Sequence, residues 1–291
     1  MATFAQVIVD GLAIGMLYVL LASGVNVIVS ISGILLIAYG QFYMVGAYVL
    51  WGVMKVAKLP FFVGLIAAII VPAILGAVVY RLIFHWIEKK DRQFLNGIVA
   101  AIGLAAVMAQ GVLLGFGTSA RGVGAVFPGM IHLGGVRISL EKTVIILLGI
   151  VVLLALHFIL RRTNVGRAMR AVACNRDVAA LQGVNPSRTY LIAMAIGCGL
   201  AGFAGGVMSP VYAISPTMGS ITLLVLLVMV LGGIGSMVGA IVAGVILGLT
   251  LSFGQYYIGS GVAQIIFFAV VGLIKFFRPG GLFGEDTDIT A

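Results

Sequence analysis

The sequence contains few charged residues: Asp, Glu, Lys and Arg together make up 9% of its 291 residues. A soluble domain carries about 25% charged residues, so this chain has too little charge to face water on all sides. Cysteine is scarce as well, and Cys174 and Cys198 have the spacing of neither a metal site nor a disulfide framework. These shortages exclude a water-exposed globular surface and a fold held together by disulfides.

The sequence also lacks the motifs of common hydrolytic enzymes. It contains no phosphate-binding loop of the form GxxxxGKS or GxxxxGKT, and neither HExxH nor GxSxG occurs. The acidic residues lie at the ends of apolar runs or between them, whereas proton-coupled carriers commonly bury such groups inside the membrane. We therefore expect no enzyme activity, no metal and no cofactor on this chain. The acidic residues are Asp10, Glu88, Asp91, Glu141, Asp177, Glu285, Asp286 and Asp288.

Apolar residues dominate what is present, at 62% of the chain with a mean hydropathy of +1.25. A membrane-spanning helix needs about 20 mostly apolar residues, and runs of that length recur along the sequence. We therefore predict an all-α polytopic membrane protein in which residues 1–291 form a single domain with about eight transmembrane helices. The apolar runs are 7–29, 31–54, 60–84, 94–116, 143–160, 189–208, 219–253 and 261–277.

Lys and Arg gather between the apolar runs, where they set the orientation of a bacterial inner-membrane protein. The rule that basic loops stay inside places 85–93 and 161–188 in the cytoplasm and 117–142 in the periplasm. Lys275 and Arg278 place the C-terminus in the cytoplasm as well. The predicted map is therefore a cytoplasmic loop at 161–188 and a periplasmic loop at 117–142.

This orientation requires an extra membrane-entering segment near the end of the chain. From an outside loop near 209–218, one plain crossing each by 219–253 and 261–277 would leave the C-terminus outside. We therefore predict that 219–253 contains two segments, broken at 232–235, where three glycines favour an interruption. A second broken or re-entrant element is expected near 30–42, so the count becomes eight or nine.

Glycine occurs 41 times, and many of the glycines are four residues apart. Small residues at this spacing let membrane helices approach each other closely. We expect these pairs to pack helices within the chain, in preference to forming a specific dimer motif. The pairs are Gly11 and Gly15, Gly111 and Gly115, Gly202 and Gly206, Gly235 and Gly239, and Gly244 and Gly248.

The polar groups inside the apolar runs are mostly neutral hydroxyls and amides, which would suit a path for a weakly bound solute. A faint internal repeat supports this interpretation, because Gly40 begins one glycine-rich span and Gly219 begins another in the second half. Repeated halves with broken helices place the solute site near the middle of the membrane. The residues predicted to line the path are Tyr39, Gly40, Gln41, Tyr43, Asn96, Gly219, Ser220 and Thr222.

The basic segment 161–188 contains six arginines and one aspartate, together with signals for two short helices. Asn164 and Asn175 are predicted to cap the N-termini of these helices, and Gly183 to follow the end of the second. Charge alone favours a segment that rests on anionic lipid headgroups. The alternative is a helix pair that docks onto a cytoplasmic partner.

Four stretches of the sequence resemble the LivH-type permease subunits of branched-chain amino acid ABC transporters. They are residues 33–48, 166–183, 231–236 and 277–283, and the likeness covers nearly the whole chain. The resemblance implies a heterodimer with a second homologous permease subunit, two cytoplasmic ATPase subunits that bind ATP and Mg, and a periplasmic solute-binding protein. It also favours the docking role for the basic segment, with coupling residues Arg167, Arg170, Ala179, Ala180, Leu181 and Gly183.

Some residues depart from the family pattern. Tyr39 replaces the usual His and Gln41 the usual Glu, while Ala101 and Ala105 stand where Thr and Ser are common. These changes make the expected path less charged and more apolar. The resemblance implies ATP-driven import of branched-chain amino acids or related small amino or organic acids. The alternative is a self-sufficient channel or secondary carrier for a small neutral solute.

Overall fold

The computed structural model describes residues 2–88, 93–124, 126–127, 129–133, 136–278 and 280–283. The chain forms two compact units, each assembled from separate stretches of sequence. One comprises the described residues of Met1–Asn26, Ala125–Gly149 and Leu224–Ala291, and the other those of Val27–Gly124 and Ile150–Leu223. Three helices continue from one unit into the other, so no single point in the sequence divides them.

The described residues form twelve α-helices, three turns of other helical types and one small sheet. The α-helices are α1 Ala2–Ser32, α2 Tyr39–Trp51, α3 Phe61–Val79, α4 His85–Ile87, α5 Gln93–Phe116, α6 Leu140–Arg162, α7 Asn164–Cys174, α8 Arg176–Leu181, α9 Pro186–Met208, α10 Thr222–Gly232, α11 Met237–Tyr257 and α12 Ser260–Phe277. The π-helical turns Gly52–Val56 and Tyr80–Phe84 follow α2 and α3, and the 3-10 turn Met218–Ile221 precedes α10. The sheet is an antiparallel hairpin of β1 Met130–Leu133 and β2 Val136–Ser139.

Eight helical segments among the described residues have the apolar character of membrane helices. Six are long and apolar enough to cross a membrane, namely Gln6–Ser32, Phe61–Ile87, Leu95–Phe116, Leu140–Arg162, Pro186–Met208 and Met237–Tyr257. Two shorter apolar helices are Met218–Gly232 and Gly261–Phe277. The prediction of an all-α polytopic membrane protein with about eight such helices is confirmed. The hairpin is a small addition between α5 and α6.

The first predicted break lies between α1 and α2. Helix α1 ends at Ser32, and Gly33 takes a φ of +66°, in the left-handed region that glycine adopts without a steric penalty. The Ser32 hydroxyl donates a hydrogen bond of 2.7 Å to the carbonyl of Ile28 in the last turn of α1. The chain becomes helical again at Tyr39. The predicted interruption near 30–42 is therefore confirmed.

The second predicted break lies between α10 and α11, at the glycines of 232–235. Gly233 and Gly235 take φ values of +101° and +88°, which residues with a side chain rarely adopt. The next helix begins after Ser236, whose hydroxyl caps it by accepting a backbone N–H hydrogen bond of 3.0 Å. Residues 219–253 therefore contain two helices, as predicted from the distribution of basic residues.

Asn26 of α1 stabilises this second break from within the same unit. Its side-chain nitrogen donates to the carbonyl of Ser236 at 3.0 Å, and its side-chain oxygen accepts from the Gly235 N–H at 2.6 Å. The Asn26 residue is buried, and a backbone group left free at membrane depth must find a partner inside the protein. Asn26 thus supplies an acceptor to the Gly235 N–H and a second donor to the Ser236 carbonyl, which also accepts from the Ala240 N–H at 3.1 Å.

Helix α9 packs against α2 and α3 through glycines. A Cβ atom on Gly202 would overlap the carbonyl oxygen of Ala68 on α3, and one on Gly46 would overlap the backbone of Gly202. A Cβ atom on Gly205 would overlap the carbonyl oxygen of Tyr43 on α2. The helix backbones therefore touch, as expected where close van der Waals contact holds membrane helices together.

The remaining glycine pairs show both outcomes of the packing prediction. Gly15 of α1 lies against Gly244 and Gly248 of α11, so these glycines pack within the chain. In α5, by contrast, a Cβ atom on Gly111 or Gly115 would meet no heavy atom of the described residues within 4 Å. The packing prediction is confirmed for the first group and is wrong for the pair in α5, because no other described helix covers that surface.

Candidate functional site

The start of α2 lies against the 3-10 turn Met218–Ile221 within one unit. The Gly40 N–H donates to the hydroxyl oxygen of Thr222 at 2.9 Å, and that hydroxyl donates to the carbonyl of Gly219 at 2.8 Å. A Cβ atom on Gly40 would overlap the Gly219 carbonyl, so the two backbones are in direct contact. Three of the residues predicted to line a path are therefore neighbours, although Gly40 and Thr222 are 182 residues apart in sequence.

Gln41 completes this α2–turn contact, which we define as Gly40, Gln41, Gly219 and Thr222. The Gln41 side chain packs against Gly219, where a Cβ atom would overlap it. Its side-chain oxygen is buried and accepts no hydrogen bond from the described residues. A buried acceptor without a donor costs about 1–3 kcal/mol, so the oxygen is suited to a donor group on a bound solute.

The other predicted lining residues have different surroundings. Tyr39 is fully buried, and its hydroxyl donates to the carbonyl of Gly197 on α9 at 3.0 Å. Tyr43 is buried as well, with its carbonyl against α9, whereas Ser220 is exposed on the 3-10 turn. Asn96 is exposed near the start of α5. The part that these four residues play in a path stays a prediction.

The basic segment forms the two short helices that its sequence predicts, α7 and α8. Asn175 caps α8, because its side-chain oxygen accepts from two backbone N–H groups, each at 3.0 Å. Gly183 has a φ of +85° and follows the end of α8, so both of these predictions are confirmed. The prediction that Asn164 caps α7 is wrong by one residue. Thr163 has the extended backbone that lets its hydroxyl accept from the Gly166 N–H at 3.1 Å.

The exposed surface of α7 and α8 combines basic and apolar side chains. Leu181 is 89% exposed at the end of α8, and Ala180 and Gly183 are exposed beside it, whereas Ala179 is buried. The predicted coupling arginines lie on α7 and are also exposed. Arg167 donates to the side-chain oxygen of Asn164, and Arg170 donates to the carbonyl of Leu160 at the end of α6. The helix pair thus presents a basic and apolar surface that the described part of the chain leaves uncovered.

Sequence reasoning missed two charged residues that the structure holds in specific contacts. Glu88 was assigned to a polar loop, but its side chain is 1% exposed and pairs with Arg176 at 2.6 Å. The guanidinium of Arg121 lies 4.3 Å from the ring centroid of Trp51 and 5.3 Å from that of Phe116. No local signal marks Glu88, because its partner is 88 residues away in the sequence.

The described residues contain no group of three or more His, Cys, Asp and Glu side chains that could hold a metal ion. The polar groups of the α2–turn contact are hydroxyl, amide and backbone groups. Such groups can bind a neutral or zwitterionic solute weakly through hydrogen bonds. Broken apolar helices, neutral polar groups and an exposed basic helix pair are the features of a membrane permease.

Comparison with known families identifies the kind of permease. The chain belongs to the family described as "Branched-chain amino acid transport system / permease component", whose model matches residues 7–275. The likeness recognised in the four sequence stretches is therefore confirmed.

Two relatives come from Escherichia coli strain K12. The chain is 28% identical to the "High-affinity branched-chain amino acid transport system permease protein LivH", over 97% of this chain and 96% of LivH. It is also 28% identical to the permease protein LivM of the same description, over 94% of this chain and 69% of LivM. A chain of the complex of PsaBC from Streptococcus pneumoniae with a Fab has a TM-score of 0.51 and 14% identity, covering 92% of this chain and 90% of that one. At that identity, this likeness concerns the fold alone.

Proposed function

We propose that this chain is a membrane-spanning subunit of an ATP-driven importer and forms the path for a branched-chain amino acid or a related small amino or organic acid. The observation that carries the proposal is the family match over residues 7–275, which covers most of the chain. The names of LivH and LivM support the solute class. The missing phosphate-binding loop supports an arrangement in which ATP and Mg bind to other subunits.

The proposed complex contains a second homologous permease, two cytoplasmic ATPase subunits and a periplasmic solute-binding protein. Similarity to both LivH and LivM supports a pair of related permeases, because this one sequence is similar to two differently named permease proteins of one bacterium. The basic residues support a bacterial inner-membrane location in which 161–188 and the C-terminus are cytoplasmic and 117–142 is periplasmic.

In this proposal, α7 and α8 form the docking site for an ATPase subunit. The exposed Leu181 supports an apolar contact, and Arg167 and Arg170 supply basic groups around it. Val178 of α8 is 49% exposed as well, so α8 offers more than one apolar side chain for burial against a partner. The solute path includes the α2–turn contact, where the unpaired Gln41 oxygen would accept a hydrogen bond from an ammonium group.

The test begins with the tagged chain purified in mild detergent from its native membranes. Reconstituted in liposomes with the proteins that copurify, it should hydrolyse ATP faster when leucine, isoleucine or valine and the solute-binding protein are present. A panel of small carboxylic acids and amides identifies the solute within the proposed class. If the purified chain moves solute without any ATPase, the chain is a self-sufficient channel or secondary carrier and the proposal fails.

A double variant tests the docking surface. Arg167→Glu with Arg170→Glu should reduce recovery of the ATPase and solute uptake, because it reverses the charge of the exposed α7 surface. The matched control is Lys55→Glu with Lys58→Glu, which makes the same change in charge at two exposed residues outside α7 and α8. Equal thermal stability of the two variants excludes a folding defect from the lost Arg170 contact with Leu160. Normal uptake in the arginine variant would contradict docking at α7.

A further inference from the structure

Glu88 is a buried carboxylate held by donors from three separate elements. Its side chain is 1% exposed and lies just after α4. Arg176 donates to one carboxylate oxygen at 2.6 Å, and the Tyr80 hydroxyl donates to the other at 2.6 Å. The Ser187 hydroxyl lies 3.4 Å from the oxygen that Arg176 contacts. Burying a carboxylate is costly unless donors pair with it, and these three side chains supply such donors.

These donors join the end of α3 to the starts of α8 and α9. Tyr80 begins the π-helical turn after α3, Arg176 is the first residue of α8, and Ser187 is in the first turn of α9. All three elements belong to the same compact unit. Glu88 therefore ties a helix of the docking surface to two long membrane helices.

Aromatic rings close the arrangement, which we call the Glu88 cluster: Glu88, Tyr80, Arg176, Ser187 and Tyr190. The guanidinium of Arg176 lies 5.7 Å from the ring centroid of Tyr190, and the Tyr190 ring meets the Tyr80 ring edge-on with centroids 6.4 Å apart. Arg176 thus contacts α9 through Tyr190 and the end of α3 through Glu88. Its side chain is 40% exposed, so one side of it remains open to water.

Helix α8 is short and buries little apolar surface. It contains six residues, too few to be stable as an isolated helix. Val178 and Leu181 are largely exposed, and of the apolar side chains in α8 only Ala179 is buried. Among the described residues, the pair between Arg176 and Glu88 is the one ion pair that joins α8 to the membrane helices.

The same membrane helices reach the α2–turn contact. Helix α9 touches α2 through Gly205 and touches α3 through Gly202, in both cases by backbone contact. Helix interfaces packed this closely transmit strain, because close-packed interiors have low compressibility. A displacement of α8 would therefore pass through the Glu88 cluster into α3 and α9, and from α9 to α2, where Gly40 and Gln41 lie.

We propose that the Glu88–Arg176 ion pair is the joint that converts movement of the docked helix α8 into movement of α3 and α9. Glu88 is then a positioning residue for transport, and the Tyr80 hydroxyl holds its carboxylate in place. The inference rests on the proposed function, because the movement must come from an ATPase subunit docked at α7 and α8. It predicts that loss of the ion pair separates ATP hydrolysis from solute movement.

The experiment measures solute moved per ATP hydrolysed by the complete complex in liposomes. Arg176→Ala should leave the complex assembled and hydrolysing ATP but lower this ratio about tenfold, within the usual range of coupling between sites. Arg176→Lys, which keeps a positive charge beside Glu88, should recover most of the ratio. The control is Lys142→Ala, which breaks an ion pair of the same 2.6 Å length with Asp10, whose side chain is 34% exposed.

The possible outcomes separate this inference from the proposed function. A wild-type complex without ATP-driven uptake contradicts the proposed function itself. If wild type transports but Arg176→Ala keeps the normal ratio, or loses assembly, hydrolysis and uptake in equal proportion, the joint is refuted. If Arg176→Ala does not accumulate, Glu88→Gln provides the same comparison, because it keeps the shape and the acceptor for Tyr80. A reduced ratio in Glu88→Gln supports the joint, and a normal ratio refutes it.

Discussion

Replacing Gly202 by alanine probes the glycine packing that holds α9 against its neighbours. A Cβ atom at this position would overlap the carbonyl oxygen of Ala68 and the ring of Pro72 on α3. Neither neighbour is the end of a flexible side chain, so α3 and α9 must move apart to admit a methyl group. The change adds one carbon atom and no charge, which limits the perturbation to packing.

The expected size of the effect follows from two opposing contributions. Overpacking a buried site costs about 1–3 kcal/mol, and a contact with backbone belongs at the upper end of that range. Alanine stabilises a helix by about 1 kcal/mol relative to glycine, and this gain offsets part of the cost. We therefore expect Gly202→Ala to lower the free energy of unfolding by about 2 kcal/mol.

The matched control is Gly103→Ala in α5. A Cβ atom on Gly103 would meet no heavy atom of the described residues within 4 Å, so only the gain in helix propensity of up to about 1 kcal/mol applies. The assay is denaturant-induced unfolding of the purified chain in mild detergent. The two substitutions should shift stability in opposite directions. If Gly202→Ala is as stable as Gly103→Ala, α9 does not approach α3 closely enough at Gly202 to exclude a methyl group.

Two further predictions concern polar side chains at the helix breaks. Asn26→Ala leaves the Gly235 N–H without its acceptor, while the Ser236 carbonyl keeps its bond from the Ala240 N–H. The substitution should therefore cost about 1–3 kcal/mol of stability, measured by the same unfolding assay. An unchanged stability would mean that Asn26 does not hold the second break. Gln41→Leu removes a buried acceptor that has no donor, so the purified chain should be at least as stable as wild type. Its complex should need more solute for half-maximal stimulation of ATP hydrolysis, and an unchanged requirement would exclude a Gln41 contact with the solute.

Features that depend on a few neighbouring residues could be predicted, and those that depend on other helices could not. Asn175 and Gly183 are placed correctly because capping and left-handed conformations act within one turn. The N-cap of α7 was misplaced by only one residue. Thr163 has the extended backbone of an N-cap, so Asn164 is already the first residue of the helix. Sequence spacing alone does not distinguish Gly202 from Gly111. Helix α3 packs directly on Gly202, whereas no described helix packs on Gly111.

The sequence by itself determined the membrane class, both helix breaks and the short basic helix pair. Membrane class and orientation follow from residue composition and from the positions of basic residues, and helix breaks follow from glycines within one turn. Each of these can therefore be predicted from the sequence without knowing how the helices pack. Only the tertiary structure decided which polar groups meet: Asn26 with Gly235, 209 residues away, Gly40 with Thr222, 182 away, and Glu88 with Arg176, 88 away. These pairings depend on how helices pack, and the residues give no local sign of them. The Glu88 cluster, where we expect force from another subunit to enter the membrane helices, exists only in the folded chain.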